Sequence, residues 1–203
     1  MQPNGIRHQR THGCPSTTDL TMNRTVTSLF LLAGGLACLL LAPPARVSAQ
    51  VEVEVDPMAY AMDGFSLHLA RMFGPVRMNV GTFGIRVPEF VHGNEGWTNT
   101  MRGVGVKVDH VGSSQAGLFA GIEGGVMRMK YDRAASTSPE TRTVVGIGVR
   151  AGHRTFIGDR GLYVAPWIGV GYNMNGDPVQ VDGAEFERSA LSIFPTIHVG
   201  WRF

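Results

Sequence analysis

The sequence contains little cysteine, little charge and no apolar run long enough for a transmembrane helix. Its two cysteines, Cys14 and Cys38, both precede residue 50, so the remainder has no disulfide and no thiolate for catalysis or metal binding. Charged residues make up 17% of the chain, whereas about a quarter is usual in soluble domains. The net charge of +2 does not indicate the clustered basic face of a nucleic-acid-binding protein.

Residues 22–49 have the organisation of a secretory signal peptide. Arg24 forms a short positive region, and an apolar stretch of 14 residues follows at Leu29–Ala42. Val47-Ser48-Ala49 is a small-residue cleavage site, which predicts that Gln50 begins the mature chain. A transmembrane helix, the competing interpretation, needs about 18 or more apolar residues.

The segments around this signal peptide need separate interpretations. Residues 1–21 are polar and lack periodicity, so we interpret them as an upstream extension from a misplaced start, with translation beginning at Met22. Cys38 follows Gly-Leu-Ala, a weak match to a lipoprotein box, but the apolar run continues past it. We therefore place Cys38 in the apolar core of the signal peptide. Residues 50–203 are short enough to form one domain.

Beyond the signal peptide, apolar residues recur with a period of two. In Gly103–Val111, for example, three valines alternate with Gly105, Lys107 and Asp109. This period is typical of strands with two different faces, and 27 glycines favour turns and close strand packing over helices. The pattern predicts strands at 64–73, 76–87, 103–111, 116–131, 142–151, 162–172 and 192–203.

An eighth strand is predicted at Gln50–Asp56, where valines alternate with acidic residues. Whether residues 50–63 form a strand or a short helix stays open, because residues 57–62 also fit one helical turn. Short and long connections alternate along the chain, the long ones at 88–102, 132–141 and 173–189. This alternation is typical of transmembrane barrels, which close because lipid cannot hydrogen-bond an open sheet edge.

The last twelve residues, SIFPTIHVGWRF, carry the most specific pattern. Apolar and aromatic residues share one face of this segment, and the chain ends on an aromatic residue: Ile193, Ile197, Val199, Trp201 and Phe203. The segment resembles the carboxyl-terminal assembly signal of bacterial outer-membrane proteins, which we assign to Ile197, Val199, Trp201 and Phe203. Pro195 departs from the pattern because proline cannot donate to a strand ladder, and a bulge or a position at the closing seam would accommodate it. A secreted soluble β-sandwich is the structural alternative.

The whole pattern resembles the small eight-stranded outer-membrane barrels typified by the OmpA membrane domain and OmpX. The resemblance implies an all-β fold, a closed antiparallel up-and-down transmembrane β-barrel, located in the bacterial outer membrane after cleavage near Ala49. It also implies a largely filled lumen without a wide pore. We expect a salt-bridge network around Glu123 and Asp109, since an unpaired buried charge is unfavourable. The candidate lumen residues are His68, Arg77, Lys107, Asp109, Glu123, Arg150 and His198.

The sequence assigns no catalytic residue, no cofactor and no metal ligand. Ser66, His68 and Glu123 could supply a nucleophile, a base and an orienting acid, but no G-x-S-x-G motif is present. His68, His110 and His198 match no metal-ligand spacing.

The most distinctive external segment is residues 88–97. Its Phe90, His92 and Trp97 could contact a ligand or partner, or could pack on the barrel rim. We therefore expect a monomer with a structural role or a binding role through its external loops. The expected partners are outer-membrane lipid and the barrel assembly machinery, and not nucleic acid. The alternatives are a narrow channel or carrier for a small solute and a membrane-embedded lipid-modifying enzyme.

Overall fold

The strands of the chain close into a barrel of antiparallel neighbours. The computed structural model describes residues 50–112, 115–134, 136, 138–174 and 176–203. The predicted signal peptide, the predicted upstream extension and both cysteines therefore lie outside the described residues. In the described part, no helix is both long and apolar enough to cross a membrane.

Eight strands form the barrel, and two more form a separate hairpin. The barrel strands are β1 (Val51–Val55), β2 (Phe65–Phe73), β3 (Val76–Val87), β4 (Trp97–His110), β5 (Gly117–Arg133), β6 (Glu140–Phe156), β7 (Leu162–Asn173) and β10 (Leu191–Arg202). The hairpin consists of β8 (Val179–Val181) and β9 (Ala184–Phe186). The described residues also form two short helices, α1 (Pro57–Ala61) and α2 (Glu89–His92).

Each barrel strand pairs with its neighbours in the chain, and β10 closes the barrel against β1. The predicted fold class, a closed antiparallel up-and-down barrel of eight strands, is confirmed. We call the end of the barrel with the short β2–β3, β4–β5 and β6–β7 connections the turn end. The other end, with the β3–β4, β5–β6 and β7–β10 connections, is the loop end.

The segment left open by the sequence contains both a strand and a helix. β1 runs from Val51 to Val55, and α1 follows at Pro57. Asp56 ends the strand because its side chain accepts a hydrogen bond from the backbone N–H of Met58 at 2.9 Å, as an N-cap does. Pro57 suits the first helical position, where its missing N–H is not needed.

The strands at the loop end extend further than the sequence pattern predicted. β4 begins at Trp97 rather than near residue 103, and β6 begins at Glu140. Residues 97–102 are polar on their outward face and carry Trp97 and Met101 inward, so they lack the outward apolar period of the other strands. Neighbouring main chains still pair with them through Asn99↔Val87 and Asn99↔Tyr131. The third long connection, predicted as a loop, contains the β8–β9 hairpin.

Pro195 lies on β10, the strand that closes the barrel. Of the two positions predicted to accommodate this proline, a bulge or the closing seam, the second applies. Pro195 pairs with Ile168 of β7. The pairing of β10 with β1 stops at Val55↔Val199, so Pro195 lies beyond the stretch of β10 that has strand partners on both sides.

Candidate functional site

The interior of the turn end holds a dense cluster of charged side chains. Its central carboxylate is Glu52 of β1, which is fully buried. Glu52 accepts from Arg77 Nε at 2.7 Å, from Arg154 Nη1 at 3.0 Å and from Arg202 Nε at 3.0 Å. Three strands far apart in sequence thereby converge on β1.

Glu54, two residues further along β1, forms a second layer of the same cluster. Arg77 Nη2 contacts its Oε1 at 2.7 Å. The Tyr163 hydroxyl and the Asn79 amide each donate to Glu54 at 2.9 Å, and His198 Nδ1 lies 3.2 Å from Oε2. Alternation along β1 places both carboxylates on the inner face, so this short strand supplies the two acids at the centre of the cluster.

The predicted pair Asp109 and Glu123 lies at the edge of this cluster. Asp109 contacts Arg77 at 3.4 Å and Arg150 at 3.2 Å. Glu123 makes one longer contact, to Arg150 at 3.8 Å, and its side chain is 24% exposed. Lys107 and Arg150 also face the Trp167 ring, at 5.1 Å and 4.1 Å, within cation–π range. The seven predicted lumen residues therefore come together, but around Glu52 and Glu54.

Glycines on the inner wall make room for the large side chains. A Cβ atom on Gly200 would overlap the Tyr163 ring, and one on Gly81 would overlap the His68 ring. Both positions therefore require glycine. The cavity that remains beside Arg77, Asp109 and Arg150 has a volume of about 10 Å³, about enough for one water molecule.

The residues considered for catalysis do not form a catalytic arrangement. His68 Nδ1 lies 3.1 Å from Asn79 Oδ1, and its ring contacts the His198 ring in a tilted arrangement at a centroid distance of 5.0 Å. Glu123 contacts Arg150 rather than His68. His110 is exposed, apart from the other two histidines, and the described residues contain no group of three or more His, Cys, Asp or Glu side chains suited to a metal ion.

At the loop end, the β8–β9 hairpin packs against the barrel. Phe186, Val179 and Val181 of the hairpin form a buried cluster with Trp97 of β4 and Tyr131 of β5. Phe186 contacts the aromatic rings of Trp97 and Tyr131 at centroid distances of 5.4 Å and 4.8 Å. The hairpin is thus held to the barrel by an apolar core of its own.

The β3–β4 connection holds the hairpin from the other side. Asn94 donates through its side-chain amide to the Glu187 carbonyl at 3.1 Å and accepts from the Glu187 N–H at 2.8 Å. The His92 ring lies 5.1 Å from the Phe186 ring. The two connections therefore form one unit at the loop end.

The three external residues predicted as contacts have different environments. Phe90 is 88% exposed, whereas Trp97 is 7% exposed. Trp97 belongs to β4 and packs under the hairpin, which agrees with the second of its two predicted roles, packing at the barrel rim. His92 is half-buried, and partial burial lowers its pKa.

A second cavity, open to solvent, lies beside this unit. Its volume is about 270 Å³, and it is bounded by the end of α1, the start of β4 and the β3–β4 connection. The Arg86–Asp63 ion pair, at 3.6 Å, lies on its wall.

The outer surface of the barrel is apolar over much of its height. Outward positions of several strands carry exposed aliphatic or aromatic side chains: Leu67, Leu118, Ile122, Ile147, Val149, Ile168, Val170 and Ile193. The predicted assembly-signal residues Ile197, Val199, Trp201 and Phe203 lie on the outward positions at the end of the chain, alternating with inward His198 and Arg202.

Sequence reasoning placed Arg202 on the inward face of the last strand but missed four other members of the central cluster: Glu52, Glu54, Arg154 and Tyr163. A usable signal existed for the two acids, since a Val-Glu-Val-Glu-Val strand in a lipid-facing barrel must direct its glutamates inward. The hairpin also had a local signal, Val-Gln-Val-Asp-Gly-Ala, because Asp-Gly between alternating residues favours a tight turn.

Comparison with known proteins gives similarity of fold alone. No protein-family model matches the chain, and no curated protein matches it in sequence. Three solved structures are similar. Neisserial surface protein A has 14% identity and a TM-score of 0.49, over 76% of this chain and 94% of its own. The amino-terminal β-barrel domain of Pseudomonas aeruginosa OprF has 10% identity and a TM-score of 0.44, over 76% and 96%. A major outer membrane protein from Thermus thermophilus has 14% identity and a TM-score of 0.41, over 77% and 100%.

Proposed function

We propose that this protein is an outer-membrane β-barrel that is closed to large solutes and acts structurally or by binding partners through its loop end. The observation that carries the proposal is the inverted distribution of polarity. Charged side chains fill the interior around Glu52, and exposed apolar side chains such as Leu118 and Ile193 cover the outside. This is the arrangement expected of a barrel whose outer surface faces lipid.

The remaining parts of the proposal follow from this location. The chain is exported, cleaved near Ala49 and inserted by the barrel assembly machinery through its last strand, and it works as a monomer. The exposed Phe90 and Val91 of α2 lie at the loop end, which faces the outside in such barrels. They are the best candidates for contact with a partner.

The test is heat-modifiable gel migration of the protein in isolated outer membranes, beside a variant that lacks Phe203. The wild type should migrate as a compact band without heating and as an extended band after heating. The variant should fail to assemble, whereas a Phe90→Ala control should behave as the wild type. A soluble wild type with identical migration in both states would contradict the proposal.

A narrow channel is the second candidate, and one observation favours it. On the loop-end side of the charged cluster, the inward Glu123 is partly exposed. Three inward glycines that form one row across β4, β5 and β6 are partly exposed as well: Gly105, Gly125 and Gly146. Space therefore exists in the loop half of the interior. Conductance of the folded protein in a planar bilayer would support this candidate, and a silent bilayer containing compact protein would support the closed barrel.

A further inference from the structure

Four cationic side chains cluster on the outside of the barrel at its loop end. They are Arg86 of β3, Arg102 of β4, and Arg128 and Lys130 of β5, and all four are exposed. The strand register places them in two adjacent rows. Arg102 lies directly opposite Arg128 in one row. In the next row, Arg86 lies opposite Thr100, and Thr100 lies opposite Lys130.

The charges in this cationic patch are only partly balanced. Arg86 pairs with Asp63 at 3.6 Å and Lys130 with Asp132 at 3.2 Å. Within the described part of the chain, Arg102 and Arg128 have no carboxylate partner. Like charges directly opposite each other on one sheet face are destabilising, so an anion between these two arginines would relieve a repulsion that the chain itself leaves in place.

The position of the patch indicates where that anion comes from. On β4, Val104, Val106 and Val108 continue the outward face of Arg102 toward the turn end, and on β5 the exposed Ile122 continues that of Arg128. The patch therefore lies at the loop-end border of the apolar surface. Near that border, the aliphatic stem of Arg102 lies over Gly84. If Gly84 carried a Cβ atom, that atom would lie 3.1 Å from Arg102 Cγ and 2.7 Å from the Phe65 ring. Arginine in such a setting keeps its stem on apolar surface and its guanidinium at the polar boundary.

The geometry also fits a phosphate group. Paired residues on neighbouring strands have Cβ atoms about 4.5–5.5 Å apart, so two guanidinium groups can share one phosphate, each with bidentate hydrogen bonds. Threonine hydroxyls flank the cations in register, Thr143 opposite Arg128 and Thr141 opposite Lys130. They add neutral donors beside the charged ones.

We propose that Arg102 and Arg128, with Arg86 and Lys130 beside them, bind the phosphate group of an anionic lipid in the leaflet at the loop end. This inference rests on the proposed membrane location. It goes beyond that location by assigning a binding site for a phosphorylated lipid to one sector of the barrel surface, across β3, β4 and β5.

The experiment uses the folded protein in phosphatidylcholine vesicles with a small fraction of phosphatidic acid, a lipid with a phosphate monoester. Native mass spectrometry after detergent release measures how much phosphatidic acid stays bound. The variant is Arg102→Gln/Arg128→Gln. The matched control, Arg133→Gln/Arg160→Gln, removes the same charge from two exposed arginines elsewhere. Two arginines near an anionic membrane surface together strengthen binding by roughly thirtyfold. The variant should therefore retain less phosphatidic acid by about that factor, and the control should match the wild type.

The other outcomes are distinguishable. Equal retention by the variant, the control and the wild type would overturn the lipid site. So would binding of inorganic phosphate as tightly as phosphatidic acid, lost in the same variant, since that result assigns the patch to a soluble anion. Heat-modifiable migration of every sample is read first: a wild type that does not insert at all would contradict the proposed function, whereas inserted protein without selective retention would contradict only this inference.

Discussion

Glu52 and Arg202 pair across the seam of the barrel, and Arg202 Nε donates to Glu52 Oε1 at 3.0 Å. The seam pairing is short, running only from Glu52↔Arg202 to Val55↔Val199, and the pairing of β1 with β2 is equally short. Arg77 and Arg154 reach the same carboxylate from β3 and β6. Contacts inside the lumen therefore supplement the few hydrogen bonds that the backbone provides at closure.

Glu52→Gln should destabilise the barrel strongly. The substitution leaves Arg77, Arg154 and Arg202 without their shared carboxylate, and breaking a buried ion pair lowers the free energy of unfolding by about 3–5 kcal/mol. The measurement is the urea concentration at which the compact band disappears. Asp132→Asn is the control, because it removes an exposed carboxylate paired with Lys130 and should change stability by less than about 1 kcal/mol. Equal effects of the two substitutions would show that the cluster does not stabilise the seam.

Gly200→Ala should impair assembly, because the added methyl group would overlap the Tyr163 ring. Overpacking of this kind lowers the free energy of unfolding by about 1–3 kcal/mol. Gly105→Ala is a matched inward position where the nearest atom would be 3.4 Å away, and it should be tolerated. The yield of compact, unheated protein compares the two variants. Normal yield for Gly200→Ala would mean that Tyr163 can leave its place over Gly200 without loss.

Phe186→Ala should release the β8–β9 hairpin while the barrel stays folded. The side chain is 2% exposed and lies against Trp97 and Tyr131, and truncating a buried phenylalanine removes about 3–5 kcal/mol of packing. Trypsin should then cleave after Arg188 much faster, as seen by mass spectrometry of the digested protein. Phe90→Ala removes the same atoms from an exposed position and should leave the cleavage rate unchanged. Slow cleavage in both variants would mean that the hairpin is held by other contacts.

The contact between the two long connections should weaken at acidic pH. His92 Nδ1 accepts from the Asn94 N–H at 3.1 Å, so the ring must be unprotonated at that atom, and partial burial lowers its pKa. Because the pKa is lower in the docked loop than in a released one, docking is fully favoured above about pH 6.5. It is lost as the pH falls through the lowered value.

Hydrogen exchange measures this change at the Glu187 amide, which donates to Asn94 at 2.8 Å. Its protection, corrected for intrinsic rate, should be lower at acidic than at neutral pH. Glu89, in the same connection, favours the protonated form and opposes the effect in part. His92→Ala should remove the pH dependence, and substitution of the exposed His153 by glutamine should preserve it. An unchanged dependence in His92→Ala would assign it to another group.

Most of the fold could be predicted from local pattern. Alternation in segments such as 103–111 identified strands, because one face of each strand contacts an apolar medium and the other does not. Over residues 97–102 the apolar side chains Trp97 and Met101 lie inward instead of outward, so the periodicity of the other strands did not reveal the extension of β4 to Trp97. The pairing of Asn99 with Val87 and Tyr131 depends on neighbouring strands rather than on the residue itself.

The site could be predicted only as a set of inward side chains. Alternation assigned Arg77, Asp109 and Arg150 to a common face, but it could not rank the acids within that set. Glu52 became the centre, and Glu123 an edge residue, because barrel closure brings β1 between β2 and β10. The distances between side chains across the closed lumen determine which cation pairs with which carboxylate.

The sequence by itself determined the strand period, the inward and outward faces, the alternation of connection lengths and the aromatic end of the chain. Each of these is a local property, because side-chain direction in a strand follows from residue parity. The tertiary structure alone decided the convergence on Glu52, the docking of Phe186 onto Trp97 and the juxtaposition of Arg102 and Arg128. These contacts join segments distant in the chain, and their geometry exists only once strand register and barrel closure have fixed which residues are neighbours.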